Sequence, residues 1–340
     1  MNEQQKRRLM WQVPFLAILI IGTILIIRQQ RNTPYQRCSG FIFGTTYSVT
    51  YQHSTDLQPE LEARMREVDA ALSMFNDTSI ITRINNNQPV VLNDMFVNVF
   101  QLAQQISADT EGAFDITVAP LVNAWGFGFK QGQDPTREVI DSLMDIVGYR
   151  KVSYDGQRIV KEDPRIMLDC SAIAKGYGVD VVAQLLDEKG ITNYLVEIGG
   201  EIVTRGISEK RLPWRIGVVK PTEDATATST ELQTMINVTD KAMATSGNYR
   251  NFYYKGNRRY AHTIDPKTGK PVQHSILSAT VLADHCASAD AYATAFMVMG
   301  FEKTQKVLKR NPGLMAYIIY DDNGENKVWY SKSLSDKIVK

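Results

Sequence analysis

The spacing of apolar residues changes several times along the chain, and each change predicts an element. Residues 9–27 are uncharged and apolar, broken only by Gln12, with Lys6, Arg7 and Arg8 before them and Arg28 and Arg31 after. That length is near the lower limit of the roughly 17–25 residues that span a bilayer. No small-residue cleavage site follows, so residues 9–27 are expected to be an uncleaved transmembrane signal anchor. Residues 1–8 then form a short terminus and 28–39 a linker. Positive charge flanks both ends of the run, so charge alone does not orient it.

Beyond the linker, 40–340 reads as one domain. Residues 41–51 are aromatic and β-branched and predict a strand interrupted by Gly44. Leu57, Leu61, Met65, Val68 and Leu72 share one face of a helix over 57–74, and 80–84 adds a helical turn. Asp94 is placed as the cap of a second helix with Phe96, Val99, Phe100, Ala103 and Ile106 inside. Residues 112–120 and 125–128 form an irregular, aromatic-rich segment. Asp134-Pro135 predicts a helix with proline first, and Asp155-Gly156 a hairpin between 151–154 and 157–161. Residues 166–168 read as a buried strand that turns directly into a helix, with Ile173, Tyr177, Val181 and Leu185 on one face. Gly199-Gly200 turns a strand pair over 194–203. Further strands are expected at 214–219, 232–238, 241–244, 276–282, 314–320 and 326–330, with a helix over 287–299. Strands and helices come in blocks, which favours an α+β fold over a doubly wound sheet.

Composition changes this picture little. The chain has 340 residues, is 44% hydrophobic and carries a formal charge of +1, so a real core is available and no basic field draws it to nucleic acid. Three dispersed cysteines, Cys38, Cys170 and Cys286, match neither a disulfide framework nor a zinc pattern.

Candidate chemistry adds more. At the 166–177 junction a helix opens with small residues (Ser171, Ala172, Ala174, Gly176), with Lys175 among them and Asp169 just before. Free N–H groups, the helix dipole and a lysine make a phosphate seat. An ordinary strand–helix junction with a surface lysine reads the same way. Asp290 and Thr294 stand four apart on one helix and offer hard oxygens suited to Mg²⁺, or simply face solvent. His262, ahead of the Asp265-Pro266 turn, is placed to take a proton near neutral pH, or is a satisfied loop histidine. Phe43, Phe75 and Phe114 lie beside glycines or turns and can stack on a flat ligand or fill the core. Asp115 needs a partner if buried. No serine-hydrolase elbow, dinucleotide fingerprint or metalloprotease pair is present.

Taken in order, Phe43-Gly44-Thr45, Gly112-Ala113-Phe114-Asp115, Leu168-Asp169 with Ala172-Ile173-Ala174-Lys175-Gly176, Gly199-Gly200-Glu201, Thr245-Ser246-Gly247, the run from His262 to Gly269, and Ala289-Asp290-Ala291 with Thr294-Ala295 resemble the ApbE family of FAD:protein FMN transferases. The resemblance runs from about residue 40 to the C-terminus. It implies an α+β, T-fold-related architecture of mixed sheets with packed helices. It also implies Mg²⁺-dependent transfer of FMN from FAD to a Thr or Ser hydroxyl of an acceptor flavoprotein through a phosphoester bond, with AMP leaving. Matched by position, Asp290, Thr294 and the Ala172 carbonyl would hold Mg²⁺. Phe43, Phe75, Ala113, Phe114, Asp115, Asp169, Lys175 and Ile264 would bind FAD, and His262 would lie near the transferred phosphate as the base. Phe43 stands where the family often has methionine, and Glu201 where it often has aspartate. The family acts outside the cytoplasm, which implies a cytoplasmic N-terminus, a single pass through the bacterial inner membrane and a periplasmic catalytic domain. The acceptors it implies are subunits of membrane redox complexes, such as Na⁺-translocating NADH:quinone reductase or the Rnf type. Two rival activities share the residues: an FAD pyrophosphatase yielding FMN and AMP, and a non-catalytic, membrane-tethered flavin-binding protein.

Overall fold

The structure is a computed structural model that describes residues 3–127, 135–221, 231–247, 252–255, 258–261 and 263–339. Its frame is an eight-stranded sheet made of β1 (Tyr35–Ile42), β2 (Thr45–Gln52), β3 (Tyr194–Ile198), β4 (Glu201–Arg205), β5 (Ala242–Gly247), β6 (Ile276–Ala283), β7 (Met315–Asp322) and β8 (Glu325–Tyr330). Spatial order follows chain order, and every pairing is antiparallel. The fold is α+β as expected. The sheets are antiparallel instead of mixed, because each strand lies beside its predecessor and each long insertion returns the chain to the end it left.

Helix α1 (Glu3–Asn32) leads into β1. Ile18, Leu19, Ile20 and Ile21 are all exposed, so no protein packs on any side of that stretch. Among the described residues no helix is long and apolar enough to cross a membrane. The side chains of Leu9, Trp11 and Leu25 to Ile27, which belong to the apolar run, lie outside the described set.

Between β2 and β3 the chain builds a helical layer that includes α2 (Gln58–Leu72), α3 (Asp94–Asp109) and α4 (Ala174–Glu188). Helix α5 (Cys286–Met299) follows β6 and is buried nearly all round, at Cys286, Ala289, Ala293, Phe296 and Met297 among others. The main core joins Phe96, Phe100, Ile166, Leu168 and Phe296 with the inner face of the sheet. A second core joins α2 and α4 to β2 and β3 through Leu61, Met65, Val182 and Tyr194.

Several local expectations change. The strand foreseen over 41–51 is a hairpin, with Phe43 (φ 50) and Gly44 (φ 73) as its two turn residues. Two positive φ values match the twist of the flanking strands. Residues 35–39, expected in a linker, are already paired in β1. Asn93, one residue before Asp94, caps α3 by accepting from the Phe96 N–H at 2.9 Å. Thr136, after Pro135, caps the next helix through the Val139 N–H.

The last change lies beside the site. Residues 166–170 join no sheet, and burial alternates along them, with Ile166, Leu168 and Cys170 buried and Met167 and Asp169 partly exposed. The Leu168 N–H donates to Asn85 Oδ1 at 2.7 Å, and Asn85 Nδ2 donates to the Leu168 carbonyl at 2.9 Å. One side-chain amide thus takes the place of a neighbouring strand. Helix α4 starts only at Ala174, so Ala172 sits in the turn before it.

Candidate active site

Two glycines bring the parts together. A Cβ on Gly176 would lie 2.7 Å from the carbonyl carbon of Cys286 and 2.9 Å from the Cα of Ala287. Only glycine lets the start of α4 meet the start of α5 this closely. A Cβ on Gly178 would lie 2.5 Å from Phe43 Cε2, so the hairpin ring rests on the bare face of α4. Asp180, one turn on, fixes the approach. Its two carboxylate oxygens accept the Cys286 N–H at 2.7 Å and the Ala287 N–H at 2.8 Å, and so cap α5.

This contact places Asp290 beside the opening of α4. Asp290 is 3% exposed, and its Oδ2 accepts the Gly176 N–H at 3.2 Å. In a regular helix that N–H would go to the Ala172 carbonyl. The Ala172 carbonyl is instead left without a donor among the described residues. Lys175 Nζ donates to Glu201 Oε1 at 2.8 Å and lies 3.9 Å from Asp290 Oδ2. Thr294 Oγ1 shares a hydrogen bond of 3.0 Å with Ser246 Oγ.

One ammonium cannot neutralise two buried carboxylates. Burial raises the Asp290 carboxyl. Burial, then repulsion from Asp290, pushes Glu201 up to about 7. Burial alone would lower Lys175, but Asp290 and Glu201 outweigh it and hold the ammonium well above the ordinary lysine value. With both carboxylates ionised the trio would carry one negative charge in excess, and Glu201 Oε2 is buried with no hydrogen-bond partner among the described residues. A carboxylate, a hydroxyl and a free carbonyl in that field fit a hard divalent cation. Among the described residues no group of three or more His, Cys, Asp or Glu side chains clusters for a metal, so such a cation would take its remaining ligands from water or phosphate.

Asp290, Thr294, Ala172, Lys175 and Glu201 line one cavity of about 410 Å³, together with Phe75, Ala113, Phe114, Asp115, Asp169 and Ile264. A neighbouring cavity of about 420 Å³ is lined by Phe43, Gly44, Val68, Leu72 and Asn76. The two share Met74, Phe75, Ser171 and Lys175. The structure therefore gathers every expected site residue around this pair of cavities except His262, which lies outside the described residues.

Individual placements differ in kind. Phe75 is 79% exposed at the shared rim, whereas Phe114 is 3% exposed and belongs to the main core. Asp115 finds the partners a buried carboxylate needs. Its Oδ1 accepts from the Thr117 N–H at 2.8 Å and the Thr117 hydroxyl at 2.6 Å, and its Oδ2 from the Tyr149 N–H at 2.7 Å. Burial still raises it. Burial also raises Asp169, whose Oδ1 accepts the Ser171 N–H at 2.7 Å. Ile264 is fixed in a two-residue strand pair closed by Asp265 and Gly269, and Trp125 Nε1 donates to the Gly269 carbonyl at 2.7 Å.

Residue type alone did not mark Glu201 as part of the chemistry, nor Ser246 and Asp180. A glutamate directly after a two-glycine turn and ahead of an apolar strand was the available signal for Glu201.

The fold and the charged cavity are those of an enzyme class that the comparisons identify: the chain belongs to the ApbE family, whose model matches residues 43–319. It is similar to an FAD:protein FMN transferase of Vibrio cholerae, 36% identical over 325 residues, spanning 92% of this chain and 95% of the relative. The corresponding enzyme of Escherichia coli is 34% identical over 300 residues, spanning 86% and 84%. Among solved structures, the flavin transferase ApbE from Vibrio cholerae superposes with a TM-score of 0.80 over 89% of this chain and 100% of that one, at 36% identity. The apo flavinyl transferase ApbE of Pseudomonas stutzeri gives 0.80 over 89% and 96%, at 32% identity.

Proposed function

We propose that this chain is an FAD:protein FMN transferase that works with Mg²⁺ and moves FMN onto a threonine or serine of an acceptor flavoprotein. The observation that carries this is the Asp290–Lys175–Glu201 cluster, two buried carboxylates facing one ammonium, beside an Ala172 carbonyl without a donor among the described residues, in a cavity with an aromatic rim. Asp290, Thr294 and the Ala172 carbonyl would hold the ion. When bound, Mg²⁺ supplies charge neutralisation on the diphosphate oxygens.

The residues of the chain do the rest. Lys175 binds the diphosphate, and Asp169, the Ala113-Phe114-Asp115 segment and Ile264 hold the dinucleotide. Phe43 and Phe75 offer faces for the flavin. His262 takes the proton of the acceptor hydroxyl, whose own pKa lies far above 7. The acceptor oxygen bonds to the phosphorus on the FMN side, the bond from that phosphorus to the bridging oxygen breaks, and AMP leaves with that oxygen. Helix α1 is read as the single-pass anchor: its exposed apolar surface is matched by lipid, with the catalytic domain on the periplasmic side near membrane redox subunits as acceptors.

The test is incubation of the protein with FAD, Mg²⁺ and a candidate acceptor, followed by intact mass of the acceptor. A gain of one FMN less one water, with AMP released, supports transfer. Free FMN and AMP with an unmodified acceptor would make the protein a pyrophosphatase, and intact bound FAD would make it a flavin carrier. A His262→Ala protein that keeps the wild-type transfer rate would remove the histidine from the base role.

A further inference from the structure

Glu201 has no part in the steps above, yet it is among the most constrained side chains in the cavity. It is 5% exposed, its Oε1 holds Lys175 at 2.8 Å, and its Oε2 is buried without a partner among the described residues. An orphan carboxylate oxygen in a buried wall is destabilising and calls for an explanation in what the cavity receives. Asp290 and Glu201 both face the one ammonium of Lys175, so where both carboxylates are ionised the trio carries one negative charge in excess. A substrate diphosphate is itself an anion and is repelled by that excess.

We propose that Glu201 sets the order in which the site fills: by placing a second carboxylate against the one ammonium of the cavity and holding Lys175 back, it admits the divalent cation before FAD. The inference rests on the flavin-transfer reading of the cavity. Lys175 is the positioned group. Its ammonium is anchored on Glu201, and Lys175 lines both cavities. The charge of Glu201 acts in opposite senses on the two ligands. It strengthens cation binding and weakens dinucleotide binding in the cation's absence. A residue that merely supported the fold would weaken both when changed.

The experiment uses the full chain. FAD affinity is measured in EDTA by quenching of flavin fluorescence, and Mn²⁺ affinity is measured without FAD by electron paramagnetic resonance. Glu201→Gln keeps an acceptor for Lys175 and removes one charge. It is expected to bind FAD about tenfold tighter in EDTA and Mn²⁺ about tenfold more weakly, the size usual for coupled sites. Lys175→Gln is expected to shift both the other way, and if Glu201→Gln does not fold, Glu201→Ala read by the same two affinities decides. Variants that weaken both ligands together, or change neither, overturn the proposal while leaving the flavin-transfer reading standing. A wild-type protein that binds neither FAD nor Mn²⁺ overturns the reading beneath it.

Discussion

Replacing Gly176 by alanine puts a methyl group where α4 and α5 touch. The new Cβ would sit 2.7 Å from the Cys286 carbonyl carbon, roughly 0.7 Å inside ordinary contact at 3.4 Å, and closer still to the carbonyl oxygen. These are backbone atoms at the capped start of a buried helix, so they cannot rotate away. Gly176 has no positive φ, and alanine favours a helix by about 1 kcal/mol. Overpacking costs about 1–3 kcal/mol, which leaves a net loss of up to about 2 kcal/mol. For a chain of this size that is a fall in Tm of up to about 3 °C. Catalysis should suffer more. The same helix contact sets Lys175 against Asp290, and a misplacement near 1 Å costs up to about a hundredfold in rate. The assay pairs a melting curve with single-turnover FMN transfer. Gly313→Ala is the control, because a Cβ there meets nothing within 4 Å. If Gly176→Ala matched that control in both Tm and rate, a bare glycine would not be what builds the site.

Three other outcomes follow from the same structure. Phe75→Ala should leave Tm unchanged, since the side chain is 79% exposed, and weaken FAD binding about two- to twelvefold, the worth of one aromatic stack, read by equilibrium dialysis. Asp180 is pushed by burial up to about 6 from an ordinary value of 3.8, so the folded protein holds a proton the unfolded chain has lost. Its contribution is therefore present at low pH and declines as pH rises from about 4 to 6. Asp180→Asn should flatten that part of the Tm–pH curve in EDTA, and an unchanged slope would refute the assignment. Removing residues 1–32 should move the protein from the membrane to the soluble fraction while a soluble acceptor is still flavinylated. A truncated protein that stays with the membrane would end the anchor proposal.

Much of this was legible because it depends on local chemistry. The faces of α2 and α3 follow from their apolar period, and the β3–β4 turn from two adjacent glycines with φ of 63° and 101°. Lys175, Asp290 and Thr294 stood out by residue type and spacing. What the pattern did not hold was distance. Lys175 and Asp290 are far apart in the chain and are joined by a helix contact that depends on Gly176 and on the Asp180 cap, and neither announces a partner. The stretch 166–170 has the alternating burial of a strand, but both backbone groups of Leu168 are bonded to the amide of Asn85. The β1–β2 hairpin was hidden because phenylalanine holds a positive-φ position where asparagine or glycine is usual. Glu201 was visible only as part of a motif, since its role comes from the burial that leaves it paired on one oxygen and orphaned on the other.

At the centre of the proposed chemistry, a divalent ion held by Asp290, Thr294 and the Ala172 carbonyl grips the diphosphate of FAD for transfer. Co-crystals grown with FAD and Mn²⁺, with anomalous diffraction collected at the manganese edge, test this most directly. The expected result is an anomalous peak within coordination distance of Asp290 and the Ala172 carbonyl, joined to the diphosphate. FAD bound with its diphosphate elsewhere, or a manganese peak away from Asp290, would contradict it.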